Sequence, residues 1–222
     1  MNIGVLLSGS GVNDGSEIHE SVITMLALDR AGAEALLMAP NIDQMHVINH
    51  YTGQEMDEFR NVLVESARIA RGNIKDMAEV SGSDLDALII PGGFGVAKNL
   101  SDYAMSGAEC SINPDVYRLI SEMLILKKPI GAICIAPAMM AKILAEQNQS
   151  ATMTIGKDET TAKDIEAIGS THKECLVEEI VIDEENNIVT TPAYMDAKNI
   201  SEAADGIEKL VKQIILMVKW KN

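Results

Sequence analysis

Short apolar runs and longer amphipathic segments alternate along the chain, each closed by turn-forming residues. Asn2 to Ser8 is a dense apolar run of strand length, followed by Gly9, Gly11, Asn13, Asp14, Gly15 and Ser16. Ser16 suits a helix N-cap, Ile18, Val22, Met25 and Leu26 recur at helical spacing, and Gly32 suits a helix stop. Ala33 to Ala39 reads as a second strand ended by Pro40. The three segments form a β-α-β unit, the seed of a parallel sheet.

The pattern continues to the C-terminus. Met45 to Tyr51 reads as an extra strand, Asn61 to Arg71 as a helix and Leu85 to Ile90 as a buried strand stopped by Pro91-Gly92-Gly93-Phe94-Gly95. Asn113 and Pro114 open a helix that runs to about Lys127, because proline at the first helical position has no amide to leave unpaired. Pro129 to Ile133 is a strand, Ala136 to Gln147 a helix, Thr152 to Ile155 a strand and Thr160 to Ile168 a helix. Leu176 to Asp183 and Asn187 to Thr191 read as strands joined by a turn. Ile200, Ala203, Ala204, Ile207, Leu210, Val211, Ile214, Ile215 and Val218 trace one face of a long last helix. No linker or repeat interrupts residues 1–222, so a single α/β domain is expected: a doubly wound, mostly parallel sheet in a three-layer sandwich. Its site should lie beyond the carboxyl ends of the strands.

Composition narrows the function. The 222 residues carry a net charge of −15, spread along the chain, which repels phosphate backbones and anionic lipid and argues against nucleic-acid or membrane partners. The apolar runs are too short to span a bilayer, and the first residues lack the basic segment of a signal peptide. Cys110, Cys134 and Cys175 form no disulfide framework, so reduced thiols in a cytoplasmic setting are expected.

One constellation carries chemistry. Cys134 stands where the strand ending at Ile133 turns directly into the helix from Ala136. So tight a turn favours small neighbours, and Gly131, Ala132 and Ala136 supply them in a variant of the nucleophile elbow. The helix start brings N–H groups and partial positive charge to the sulfur, which should lower the thiol pKa below its usual value near 8.5. The adjacent Gly92 and Gly93 suit an oxyanion hole completed by the N–H of Ile135. Glu17, at the start of the first helix, fits a capping role from its position alone. Gly9, Gly11 and Gly15 miss the dinucleotide spacing, and no His/Cys/carboxylate spacing suits zinc, so no cofactor and no metal are expected.

Two segments, Leu88 to Gly95 and Gly131 to Pro137, resemble the ThiJ/PfpI branch of the class I glutamine amidotransferase-like superfamily. Gly15-Ser16-Glu17-Ile18-His19-Glu20, the stretch from Ala97 to Ile112 and Ile188 to Met195 extend the resemblance to its ElbB subfamily over essentially the whole chain. The resemblance implies a flavodoxin-like sandwich with Cys134 at the elbow. It implies that Glu17 is a protonated carboxyl donating a hydrogen bond to the thiolate. It also implies cofactor-free glyoxalase activity on glyoxal, a small aldehyde, and a homodimer. The late His-x-Glu dyad of true amidotransferases is absent, and no histidine closely follows the elbow; His172 is the candidate downstream of Cys134.

The expected mechanism is addition of Cys134 to one aldehyde of glyoxal and a proton shift by Glu17 or His172. Hydrolysis of the resulting thioester then gives glycolate, with Gly93 and Ile135 N–H groups holding the oxyanion. The competing expectation is a non-catalytic thiol sensor, or a metabolite-binding module linked to isoprenoid metabolism, using the same cysteine.

Overall fold

The sheet grows from β1 (Asn2–Leu6), and the computed structural model describes residues 1–221. β1 pairs in parallel with β2 (Glu34–Ala39) on one side and with β4 (Ala87–Ile90) on the other. The short β3 (Lys75–Asp76) extends the β2 edge, and β5 (Ile130–Ile133) and β9 (Ile188–Thr191) extend the β4 edge. β8 (Val181–Asp183), antiparallel to β9, closes an order of β3-β2-β1-β4-β5-β9-β8. Every residue of β4, β5 and β9 is buried, as expected for strands covered on both faces. A separate parallel pair joins β6 (Thr152–Met153) to β7 (Thr171–His172).

Helices cover both faces. α4 (Pro114–Ile125), α5 (Ala136–Glu146) and α6 (Glu159–Ile168) pack one side through Leu119, Met123, Met140, Ile143 and Ile165. α1 (Ile18–Arg30), α2 (Val62–Ile69) and α7 (Ile200–Lys221) pack the other through Ile23, Leu28, Val62, Ile207, Leu210 and Ile214. The short α3 (Tyr103–Ser106) follows a π-helical turn over Val96–Leu100. α7 lies so close to β5 that a Cβ on Gly131 would sit 2.7 Å from Leu210 Cδ2. The result is an α/β three-layer sandwich with a mostly parallel sheet, as the alternation of elements predicts.

Three local expectations change. Met45 to Tyr51 is no strand; single bridges at Asp43↔Asn61 and Ile48↔Glu55 hold an irregular excursion. The strand expected from Leu176 begins only at Val181. α1 is phased differently from its apolar recurrence: Ile18, Val22 and Leu26 are exposed, while Glu20, Ser21, Ile23, Thr24 and Leu28 are buried. The helix thus turns hydroxyls and a carboxyl towards the sheet, and that phase determines the chemistry of the site.

Candidate functional site

Cys134 follows the last residue of β5 and adopts φ 61°, a left-handed conformation uncommon for a side chain other than glycine. Such strain costs on the order of 1–3 kcal/mol and persists only where the surroundings fix it. Here Cys134 N donates to Thr191 O on neighbouring β9 at 3.0 Å, and α5 begins two residues later with Pro137 in its first turn. The turn leaves the N–H of Ile135 directed at the Cys134 sulfur. A second N–H comes from Gly93, whose φ of +99° turns the loop after β4 inward. The two expected oxyanion donors therefore meet at one atom.

Gly92 closes the site from the side of β4. A Cβ there would lie 2.5 Å from Cys134 Cβ, 2.8 Å from Glu20 Oε2 and 3.0 Å from Cys134 Sγ. Only glycine lets these three groups meet. Glu20, in the first turn of α1, fills the space: its Oε2 accepts from Gly92 N at 2.8 Å and its Oε1 from Tyr194 N at 3.2 Å. The same carboxyl hydrogen-bonds the Cys134 thiol.

This corrects the role expected for Glu17. Glu17 is the N-cap of α1, and its Oε2 accepts from Glu20 N at 2.7 Å. It lines the cavity in front of the sulfur, whereas the carboxyl bonded to the thiol belongs to Glu20. His172 is also displaced: it sits on β7 in the separate two-stranded sheet and does not line the cavity. The histidine beside the site is His19, in the first turn of α1. Its Nδ1 lies 2.8 Å from Tyr194 Oη and 4.0 Å from Glu17 Oε1, at the rim of the cavity.

Burial raises the Glu20 carboxyl from 4.5 to about 8, and the neighbouring Glu17 adds to the rise. Burial also pushes the Cys134 thiol well up, and the Glu20 charge pushes it further, while the N–H groups of Gly93 and Ile135 pull it down. The lowered thiol pKa expected from the helix start alone is thus overturned by desolvation and a carboxyl neighbour. Two acids in contact cannot both ionise cheaply. A single negative charge on the pair is instead held from both ends, by Gly93 and Ile135 N–H at the sulfur and by Gly92 and Tyr194 N–H at the carboxyl.

The sulfur opens into a cavity of about 340 Å³ walled by Val12, Phe94, Ala97, Tyr103, Ala104, Ile135, Tyr194 and Met195, with Glu17, Asp158 and Thr161 as its polar members. Larger clefts of about 430 and 640 Å³ lie against α7 but are lined by no cysteine. A strained elbow cysteine, two N–H donors, a buried carboxyl and an adjoining apolar cavity together can activate a thiol and hold charge on what it attacks.

Residues 11–203 match the DJ-1/PfpI family. The chain belongs to that family. It is 42% identical over 223 residues to the "ES1 protein homolog, mitochondrial" of Rattus norvegicus, covering 96% of this chain and 82% of that protein. It is 43% identical, with the same coverage, to the "Glutamine amidotransferase-like class 1 domain-containing protein 3, mitochondrial" of Homo sapiens. Among solved structures, the "isoprenoid biosynthesis protein with amidotransferase-like domain" from Ehrlichia Chaffeensis superposes with a TM-score of 0.91 at 37% identity, covering 97% of this chain and 98% of that one. The DJ-1/PfpI assignment bears out the branch read from the elbow and Gly-rich segments. The curated relatives carry the ES1 name, and the isoprenoid name belongs to the structural neighbour. The cytoplasmic placement does not stand, because these relatives are named as mitochondrial proteins. The three cysteines are unpaired, which does not distinguish one compartment from another.

Proposed function

We propose that this DJ-1/PfpI member is a cofactor-free glyoxalase that converts glyoxal to glycolate without glutathione. The observation that carries the reading is the Cys134 sulfur, held between the N–H groups of Gly93 and Ile135 and the Glu20 carboxyl, at the floor of a cavity lined by Glu17.

Cys134 Sγ bonds to one aldehyde carbon of glyoxal, and the sulfur's proton ends on the new alkoxide as a hemithioacetal. Glu17 takes the proton from that carbon and returns it to the neighbouring one through an enediol. The first carbon becomes a thioester, oxidised by as much as the second, now an alcohol carbon, is reduced. Water then cleaves the carbon–sulfur bond, giving glycolate and restoring the thiol. Gly93 and Ile135 N–H groups hold the oxyanions of addition and hydrolysis. Glu20 does not touch the substrate; it positions the sulfur and shares its proton, so it is a positioning residue. The homodimer implied by the family resemblance belongs to this proposal, and the mass of the protein in solution tests it.

The decisive experiment incubates purified protein with glyoxal, without glutathione or added metal, and follows glycolate. Turnover that vanishes in Cys134→Ala supports the proposal. Equal glycolate formation by Cys134→Ala would overturn it and leave the thiol sensor, or a metabolite-binding module of the kind the isoprenoid name suggests, as the better reading.

A further inference from the structure

We infer that the cavity in front of Cys134 takes glyoxal but prefers uncharged carbonyl compounds that carry an apolar tail, and that it disfavours anionic electrophiles. The inference deepens the carbonyl chemistry proposed above and rests on it for the word substrate.

Size is the first observation. Glyoxal displaces roughly the space of two or three waters, at about 30 Å³ each. A cavity of about 340 Å³ leaves most of its volume unfilled by such a molecule and lies in the range of pockets built for larger ligands. The nature of the wall is the second. The chain holds only two Phe, one Trp and four Tyr, yet Phe94, Tyr103 and Tyr194 all line this cavity. Val12, Ile135 and Met195 add further apolar side chains to the lining. An apolar tail of ring size seated against them gains about 25 cal/mol for each Å² removed from water.

Charge is the third. The acidic lining side chains are Glu17, at the N-cap of α1, and Asp158, at the exposed N-cap of α6. Among the described residues, no lysine or arginine lines the cavity. The amine of Lys98, which follows the lining residue Ala97, donates to Asn13 O at 2.9 Å and lies 5.4 Å from the Phe94 ring centroid. An anionic electrophile entering here meets two carboxyl groups and no lysine or arginine among the lining residues, on a chain of net charge −15. Both carboxyls already accept backbone N–H groups, Glu17 from Glu20 and Asp158 from Thr161, so they act as a barrier to anions more than as ligands for a cation.

Alkylation of Cys134 tests the inference without requiring turnover. The full-length protein is treated with iodoacetamide, N-phenyl iodoacetamide or iodoacetate, and labelling of the Cys134 peptide is followed by mass spectrometry. Each rate is divided by that of a free thiol with the same reagent, which cancels intrinsic reactivity. We expect N-phenyl iodoacetamide to exceed iodoacetamide by about tenfold or more, and iodoacetate to fall about tenfold below it. Asp158→Asn, which keeps a side chain equally suited to the N-cap, should narrow the second gap. Normalised rates that are equal for the two amides, iodoacetate as fast as iodoacetamide, or no labelling of Cys134 by any reagent would each overturn the inference. Assays with glyoxal and phenylglyoxal run in parallel. If neither is turned over while the alkylation preferences hold, the cavity's selectivity stands and the glyoxalase reading falls. If glyoxal is turned over without the preferences, the reverse is true.

Discussion

The Glu20 carboxyl hydrogen-bonds the Cys134 thiol from behind, joining the first turn of α1 to the elbow after β5. The pair is buried, and each acid makes ionisation of the other harder. Replacing Glu20 with Gln removes the charge and retains an N–H donor. The thiol should then titrate at lower pH than in the unmodified protein, because the Glu20 charge pushes it up. The alkylation rate of Cys134 against pH, read at its own peptide, measures the inflection. An inflection that stays in place or rises in Glu20→Gln counts against the coupling.

The same carboxyl should make stability depend on pH. Its folded-state pKa is raised from 4.5 to about 8, so the folded protein holds a proton that the unfolded chain has lost. The contribution is fully present below pH 4.5 and is lost as pH rises towards 8. One proton corresponds to a slope of about 1.4 kcal/mol per pH unit at most. Denaturant unfolding from pH 5 to 8 should show stability falling more steeply in the unmodified protein than in Glu20→Gln. Parallel curves for the two proteins would show that Glu20 ionises alike folded and unfolded.

Glu17 and His172 separate by position. Glu17 lines the cavity, and Glu17→Gln should cost about 10²-fold or more in kcat if its carboxyl carries the proton between the two carbons. His172 lies on β7, outside the cavity lining, and His172→Gln should leave kcat/KM within about twofold, near the scatter expected when no contact to the transition state is removed. Steady-state kinetics on glyoxal tests both. A large loss in His172→Gln with an intact Glu17→Gln would reverse the assignment.

The elbow was legible in the sequence because its signal is local: a four-residue buried strand, one cysteine and a helix start leave the chain little choice. The partner carboxyl was not, because it depends on helix phase. Ile18, Val22 and Leu26 suggest an apolar stripe, yet they face outward and Glu20, Ile23, Thr24 and Leu28 face the sheet. Glu20 shares the three- and four-residue spacing of Ile23 and Thr24, which is the signal that would have found it. Glu17 precedes the helix with extended backbone, so its carboxyl folds back on the helix's own N–H groups. β3 and β7, two residues each, are too short to show any period. His19 joins Tyr194 across 175 positions of sequence, a contact that only the folded sheet creates.

Gly92 gives the sharpest structural test of the site, because its substitution acts through space and not through charge. Its φ carries no left-handed requirement, so the loop backbone itself accepts a side chain. The obstacle is contact: a methyl group would lie 2.5 Å from Cys134 Cβ and 2.8 Å from the Glu20 oxygen that accepts Gly92 N–H. Neither neighbour is the free end of a flexible chain, since Cys134 is fixed by its strained turn and Glu20 by two backbone donors. Gly92→Ala should therefore part the carboxyl from the sulfur and destabilise the fold by about 1–3 kcal/mol, as overpacking does. Activity on glyoxal should fall by more than the loss of folded protein accounts for, and the Cys134 titration should move towards that of Glu20→Gln. A Gly92→Ala protein that keeps unmodified turnover and an unmodified thiol titration would mean that the close approach of Gly92, Glu20 and Cys134 does not govern the chemistry.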